Sequence, residues 1–75
     1  MTLADMPIGG KGRVCDISLP PDTHRRLLEM GLTRGVTFEV VRYAPMGDPI
    51  EIRVRGYHLS LRKTEAREIT VEELP

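Results

Sequence analysis

The fold of this chain is decided by residues 35–61, which read GVTFEVVRYAPMGDPIEIRVRGYHLSL. Apolar and polar side chains alternate through three runs of this stretch, and a period of two is the pattern of a half-buried β-strand. A turn-forming segment with two prolines, a glycine and an aspartate separates the first run from the second, and Gly56 separates the second from the third. The sequence therefore predicts three consecutive antiparallel strands in a meander.

The segments on either side complete a small sheet. Residues 11–17 are poor in helix formers and predict a first strand whose alternation is interrupted, as by a bulge. Residues 63–67 are charged and tolerate a helix, whereas Ile69 and Val71 predict a last short strand. A curled antiparallel barrel is the economical arrangement of these elements. The predicted fold is mainly β, a small five-stranded antiparallel barrel with one short helix between strands 1 and 2.

That helix is predicted in HRRLLEMGL, residues 24–32. Leu28 and Leu32 lie four residues apart on one apolar stripe that also includes Leu27. Gly31 stands where a left-handed residue would end the helix, and Leu32 just beyond it would then fold back on Leu27. The helix is therefore expected to end in a glycine cap with an apolar contact across it.

We expect one domain over residues 1–75, with residues 1–10 as an N-terminal arm and residues 72–75 as a short acidic tail. Leu3 and Met6 give the arm two side chains that can pack on the domain. The predicted core consists of the inward positions of the strands and the helix: Val14, Ile17, Leu28, Leu32, Val36, Phe38, Val40, Ile52, Val54, Leu59, Leu61 and Ile69.

Composition excludes several classes of protein. Eleven Lys and Arg balance eleven Asp and Glu, so no overall positive field attracts nucleic acid, and the two Tyr and one Phe offer few stacking platforms. The single cysteine, Cys15, cannot close an intramolecular disulfide, which fits a reducing compartment. The N-terminus does not have the pattern of a secretory signal, and no apolar run has the length of a membrane span. We expect a cytoplasmic protein without nucleic-acid partners or direct membrane insertion.

Few residues suggest chemistry. Cys15 with His24 or His58 has the residue types of a thiolate and its base, or of a transition-metal site. Catalysis also needs an orienting partner and a pocket, and the scattered spacing favours a packed strand cysteine and two solvated histidines. Residues 47–49, Gly-Asp-Pro, form a turn tripeptide and not a nucleotide signature. We therefore predict no catalytic residue, no cofactor and no tight metal site; weak self-association through the histidines is compatible with this.

A group of cations occupies outward strand positions, with no Asp or Glu between residues 53 and 63. Its members are Arg53, Arg55, Arg62 and Lys63. One interpretation is that these residues make the strand faces soluble and pair with Glu39 and Glu51. The other is a patch that binds a partner.

Taken together, residues 24–71 (HRRLLEMGLTRGVTFEVVRYAPMGDPIEIRVRGYHLSLRKTEAREITV) resemble the FeoA family of ferrous-iron transport accessory proteins, and the likeness starts near residue 3. The resemblance implies an SH3-like barrel in the cytosol, without enzymatic activity, that works beside the permease FeoB and its GTP-binding cytoplasmic G domain. Similar domains occur at the C-terminus of metal-dependent repressors of the diphtheria-toxin repressor type, so the alternative is a metal-responsive module. This chain lacks a DNA-binding helix-turn-helix, which favours the free-standing accessory.

The predicted partner surface is centred on the helix and its C-terminal turn. Leu27 and Met30 flank the core stripe there, and Arg26 and Arg34 supply a cationic rim around an apolar centre. The alternative is that Leu27 packs against Leu32 in the helix cap and Met30 fills a gap in the core.

Overall fold

The computed structural model describes residues Met1–Pro75 and contains five strands, two short helices and one 3₁₀ turn. In chain order the elements are the 3₁₀ turn Leu3–Asp5, β1 Lys11–Ile17, α1 Pro21–Glu29, β2 Thr37–Tyr43, β3 Ile50–Val54, β4 Tyr57–Leu61, α2 Lys63–Ala66 and β5 Ile69–Leu74. The strands form one antiparallel sheet in the order β4-β3-β2-β1-β5. The predicted mainly β fold, with a helix between the first two strands, is confirmed.

The three central strands form the predicted meander. Val40 of β2 pairs with Ile52 of β3, and Ile52 pairs in turn with Leu59 of β4. Arg55 and Gly56 join β3 to β4, and both have positive φ angles, of 50° and 86°. Two consecutive left-handed residues make a type I′ turn, whose twist matches that of the flanking strands.

The bulge expected in the first strand is present at Cys15. The ladder between β1 and β5 passes from Val14 opposite Val71 directly to Asp16 opposite Thr70, so Cys15 has no partner. One extra residue turns the rest of the strand to the other face, which explains why the alternation of the sequence breaks there.

Seventeen apolar residues form one buried cluster, and no buried residue is polar or charged. All predicted core residues except Leu28 belong to this cluster. The prediction omitted six of its members: Leu3, Met6, Leu27, Ile50, Ala66 and Val71. Gly12 allows a close approach in this core, because a Cβ there would lie 2.7 Å from the Cζ atom of Phe38.

The N-terminal arm packs on the domain through its apolar side chains, and the C-terminal end differs from the prediction. The N-terminal arm contains the 3₁₀ turn, and its Leu3 and Met6 are almost completely buried. Glu72 and Glu73 do not form a tail, because both belong to β5 and face Arg13 and Gly12 of β1. Thr70, Glu72 and Glu73 are the exposed positions of β5, so both carboxylates remain in solvent although they belong to the strand.

No helix in the structure is both long enough and apolar enough to cross a lipid bilayer.

Candidate partner-binding surface

The C-terminal turn of α1 has the geometry of a Schellman motif. Gly31 has a φ angle of 91°, which ends the helix in the left-handed region that glycine adopts without steric penalty. The Leu32 amide donates to the Leu27 carbonyl at 2.9 Å, and the Gly31 amide donates to the Leu28 carbonyl at 3.0 Å. The glycine cap predicted from the sequence is confirmed.

The cap also decides which leucine of α1 is buried. Leu27 is fully buried, whereas the residue after it, Leu28, is 43% exposed. The predictions that Leu28 belongs to the core and that Leu27 is open to a partner are therefore wrong. The i to i+4 spacing of Leu28 and Leu32 has no meaning once the helix ends at Glu29, because a Schellman motif brings the residue after the glycine back to Leu27.

One flank of α1 faces β4 and α2. The guanidinium of Arg26 bonds to the carboxylate of Glu65 in α2 and lies 4.0 Å from the sulfur of Met30. The hydroxyl of Tyr57, the first residue of β4, donates to the carbonyl of Met30. A side chain on Gly31 would collide with the same hydroxyl, so glycine is needed there for space as well as for its φ angle. This flank is half-buried and its polar groups already have partners.

The other flank of α1 faces β1. Arg34 bonds to Asp16 at 2.8 Å, and this hydrogen bond lowers the pKa of the Asp16 carboxyl below its ordinary value. His24 is close enough for its charge to act on Asp16 in the same direction. Leu28 lies one helical turn after His24 and is therefore on this flank.

The four residues predicted to bind a partner thus do not form a single patch. Arg26 and Met30 lie on the flank near β4, Arg34 lies on the flank near β1, and Leu27 is buried between them. The exposed apolar residue of α1 is Leu28, which the sequence analysis had assigned to the core. Tyr57 was also missed, since no local signal in the sequence places the start of β4 beside the end of α1.

The cationic group of residues 53–63 divides into two parts. Arg53 pairs with Glu39 across the sheet, as the interpretation of a solvated strand face expects. Glu51, the other proposed partner, pairs with Arg42 and His58 at 2.9 Å each. The remaining three cations have no carboxylate within salt-bridge distance: Arg55, Arg62 and Lys63.

The largest cavity is shallow, with a volume of about 350 Å³, and lies where β1, β2 and β3 meet the turn of Arg55 and Gly56. Neither a cysteine nor a histidine lines it. A nucleophile with its base is therefore not present in this cavity.

The residues considered for a metal site lie on three different elements of the fold. Cys15 is exposed at the bulge of β1, His24 is in α1, and His58 in β4 is bonded to Glu51. No three His, Cys, Asp or Glu side chains come together in a group that could hold a metal ion.

Comparison with known families identifies the domain. The model of the FeoA domain matches residues 1–73, almost the whole chain. This chain belongs to the FeoA domain family. FeoA domains are small, non-catalytic accessory domains of ferrous iron transport, so the chain is not expected to carry an active site.

Solved FeoA structures have the same fold. The solution structure of the FeoA protein of Chlorobium tepidum is 40% identical to this chain, with a TM-score of 0.96. The match covers all of this chain and 71% of the Chlorobium tepidum chain. The crystal structure of Stenotrophomonas maltophilia FeoA complexed with zinc, described as a prokaryotic SH3 domain protein, is 29% identical, with coverage of 96% and 89% and a TM-score of 0.78. The SH3-like fold implied by the resemblance is thereby confirmed.

A relative from Porphyromonas gingivalis joins two proteins of iron transport in one chain. It is described as a fusion of Fe(2+) transport protein A with the Fe(2+) transporter FeoB, and it is 35% identical over 72 residues. These residues are 96% of the present FeoA chain but only 8% of the fusion protein. The match therefore concerns the FeoA part of that protein.

Proposed function

We propose that this FeoA chain acts in the cytoplasm, where it binds the cytoplasmic G domain of a FeoB-type permease and modulates ferrous iron uptake. The fusion protein of Porphyromonas gingivalis is the observation that carries the proposal. Two domains in one chain have a high effective concentration for each other, so even a weak contact between them is largely occupied. Separate chains that do the same work need a binding surface of their own.

The end of α1 is the surface that fits this task. Leu28 is an apolar side chain with 43% exposure, and charged residues surround it in the sequence. Arg34 lies on the same flank and adds a positive charge near this side chain, whereas Arg26 and Met30 lie on the opposite flank. An apolar centre inside a charged rim is the layout in which a few residues supply most of the binding energy. Leu28 takes the central role that the sequence had assigned to Leu27.

The test is a titration of the permease's cytoplasmic domain with wild-type chain and with Leu28→Gln, with and without guanine nucleotide and Fe²⁺. Leu28→Gln should weaken binding at least tenfold and change the free energy of unfolding by no more than about 0.5 kcal/mol, as is usual for exposed positions. Ile8→Gln is the matched control, because Ile8 is 63% exposed but belongs to the N-terminal arm. Arg26→Gln, compared with Arg34→Gln, identifies the flank that contributes. Wild-type affinity in Leu28→Gln, Arg26→Gln and Arg34→Gln alike would contradict the proposed surface.

The second candidate is a metal-responsive module, which the zinc-complexed relative from Stenotrophomonas maltophilia favours. In this chain only the pair of His58 and Glu51 resembles part of a metal site, and two ligands hold a metal weakly. We predict that calorimetry finds no binding of Fe²⁺ or Zn²⁺ tighter than micromolar. Tighter binding that His58→Ala abolishes would support the metal-responsive module instead.

A further inference from the structure

The two edges of the sheet are in different states. The outer edge of β5 is covered by the N-terminus: Val71 donates its amide to the Met1 carbonyl at 2.9 Å, and Thr2 forms a bridge with Thr70. β4, at the opposite edge, pairs only with β3. A strand edge without a partner is a template to which another strand can bind.

The register identifies the free groups of β4. Val54 pairs with Tyr57 across the two-residue turn, so Tyr57 and every second residue after it direct their backbone groups to β3. His58 and Ser60 alternate with these residues and direct their N–H and C=O groups away from the sheet. None of these four groups takes part in the backbone bonds outside the ladders or in any side-chain bond.

Unpaired cations stand at both ends of this edge. Arg55 precedes β4 in the turn, and Arg62 and Lys63 follow it. No side chain of the three forms an ion pair, although the backbone N–H groups of Arg62 and Lys63 donate to the carboxylates of Glu65 and Asp48. Arg55 also has a φ angle of 50°, in a region where Asn or Gly is usual at this position of the turn.

The same charges indicate which kind of strand can pair with the free edge of β4. If β4 of a second copy paired antiparallel about Leu59, Arg55 of each copy would stand opposite Lys63 of the other. Like charges directly opposite each other destabilise a strand pair, whereas opposite charges stabilise it. An extended segment with carboxylates near its ends meets no such repulsion.

We propose that the outer edge of β4 binds an acidic, extended peptide segment of a protein partner, which adds a sixth strand to the sheet. His58 and Ser60 exchange main-chain hydrogen bonds with the segment. Arg55 at one end, and Arg62 with Lys63 at the other, pair with its carboxylates. This site involves neither Leu28 nor Arg34, so it does not depend on the function proposed for α1.

A synthetic peptide is the probe for this site. EVTVTVE, labelled with a fluorophore, should bind the wild-type chain in a fluorescence anisotropy titration and shift the backbone amide resonances of His58 and Ser60. Binding should weaken as salt is added. KVTVTVK, and EVTVTVE methylated on every backbone nitrogen so that neither edge can donate, should each bind at least tenfold more weakly. Equal binding of either control, or no binding of EVTVTVE, would overturn the proposal.

Three variants locate the site on the protein. Ser60→Pro removes an outward N–H that the ladder with β3 does not use, a position at which an edge strand tolerates proline, and it should weaken binding at least tenfold. Ser60→Ala retains the N–H and should bind as the wild type does. Arg55→Asn removes a charge while tolerating the left-handed φ angle, and it should reduce the salt dependence.

Wild-type affinity of a folded Ser60→Pro would overturn the proposal, as would loss of binding in Ser60→Ala. If Ser60→Pro does not fold, the methylated peptide carries the same test on the wild-type chain. A concentration-dependent dimer that competes with EVTVTVE would overturn the choice of occupant, since a second copy would then be the natural ligand of the edge.

Discussion

The two edges of the sheet are protected by different means. At the β5 edge the protein uses its own chain: residues of the N-terminal arm bond to the strand, and Leu3 and Met6 enter the core. The arm is also attached to β2, because the Gly9 amide donates a hydrogen bond to the Val40 carbonyl at 2.7 Å. At the β4 edge there is charge in place of a covering segment. A covered edge has its backbone groups already bonded, whereas a charged edge stays available to a partner of opposite charge.

This difference also concerns stability. Ordering the arm costs conformational entropy, which the burial of two large side chains must offset. No additional segment has to become ordered at the β4 edge. There the strand is stabilised by its pairing with β3 and by the buried residues of the meander. The arm should therefore be sensitive to the loss of a single apolar side chain, and a pair of substitutions, one beneath each edge, measures the difference.

The largest effect is expected for Leu3→Ala. Leu3 is fully buried and anchors the arm, so the substitution should lower the free energy of unfolding by about 2–5 kcal/mol through lost apolar transfer and the cavity that remains. Urea denaturation measures this, and Ile8→Ala, at an exposed position of the same arm, is the control. Hydrogen exchange of the Val71 amide should accelerate together with the loss of stability. A change in Leu3→Ala as small as that of the control would show that the arm does not hold the β5 edge.

Beneath the other edge, Val54→Ala should lower the free energy of unfolding by about 1–3 kcal/mol. Val54 is fully buried at the end of β3, where it pairs with Tyr57, and the removal of two methyl groups leaves a smaller cavity than the change at Leu3. The measurement is the same urea denaturation. A destabilisation larger than that of Leu3→Ala would reverse the comparison, and an unchanged free energy of unfolding would count against a central strand at this position.

The sequence could predict the meander because its periodicity is local. Strict alternation from Val36 to Val40, and again from Ile50 to Val54, specifies which face of each strand is buried without reference to any other element. The arm has no such signal. Leu3 and Met6 are separated by a single 3₁₀ turn, and their burial depends on where the arm meets β5 and β2.

The candidate site was predicted in part for the same reason. Arg26 and Arg34 are exposed as expected, but the flank of α1 to which each belongs is decided by Glu65 in α2 and Asp16 in β1, which are distant in sequence. A local signal in the sequence does indicate that Leu27 is buried and Leu28 is not, because a glycine cap predicts contact between Leu27 and the residue after the glycine. The helical stripe was continued past the end of the helix, and that error placed Leu28 in the core.

The smallest expected effect on stability concerns the carboxylate of Asp5, which forms hydrogen bonds within the N-terminal arm. The carboxylate of Asp5 accepts hydrogen bonds from the backbone N–H of Thr2 at 2.9 Å and from its hydroxyl at 3.2 Å, and these bonds, the backbone one first, lower the pKa of Asp5 below its ordinary value. A pKa that is lower in the folded than in the unfolded chain stabilises the protein above the ordinary value, near pH 4, and the contribution disappears as the pH falls through the folded pKa.

Asp5→Asn should therefore be slightly less stable than the wild type at pH 7, and the two should converge below roughly pH 4. Thermal melts between pH 2.5 and pH 7 measure this convergence, and asparagine retains one acceptor oxygen, so the difference reports mainly the charge. Asp16→Asn is the matched control: Arg34 lowers the pKa of that carboxyl as well, but at the bulge of β1. Only Asp5→Asn should accelerate exchange of the Val71 amide, because only Asp5 belongs to the segment that covers β5. Equal acceleration in both variants would mean that the covered edge opens with the whole domain and that the arm does not protect it locally.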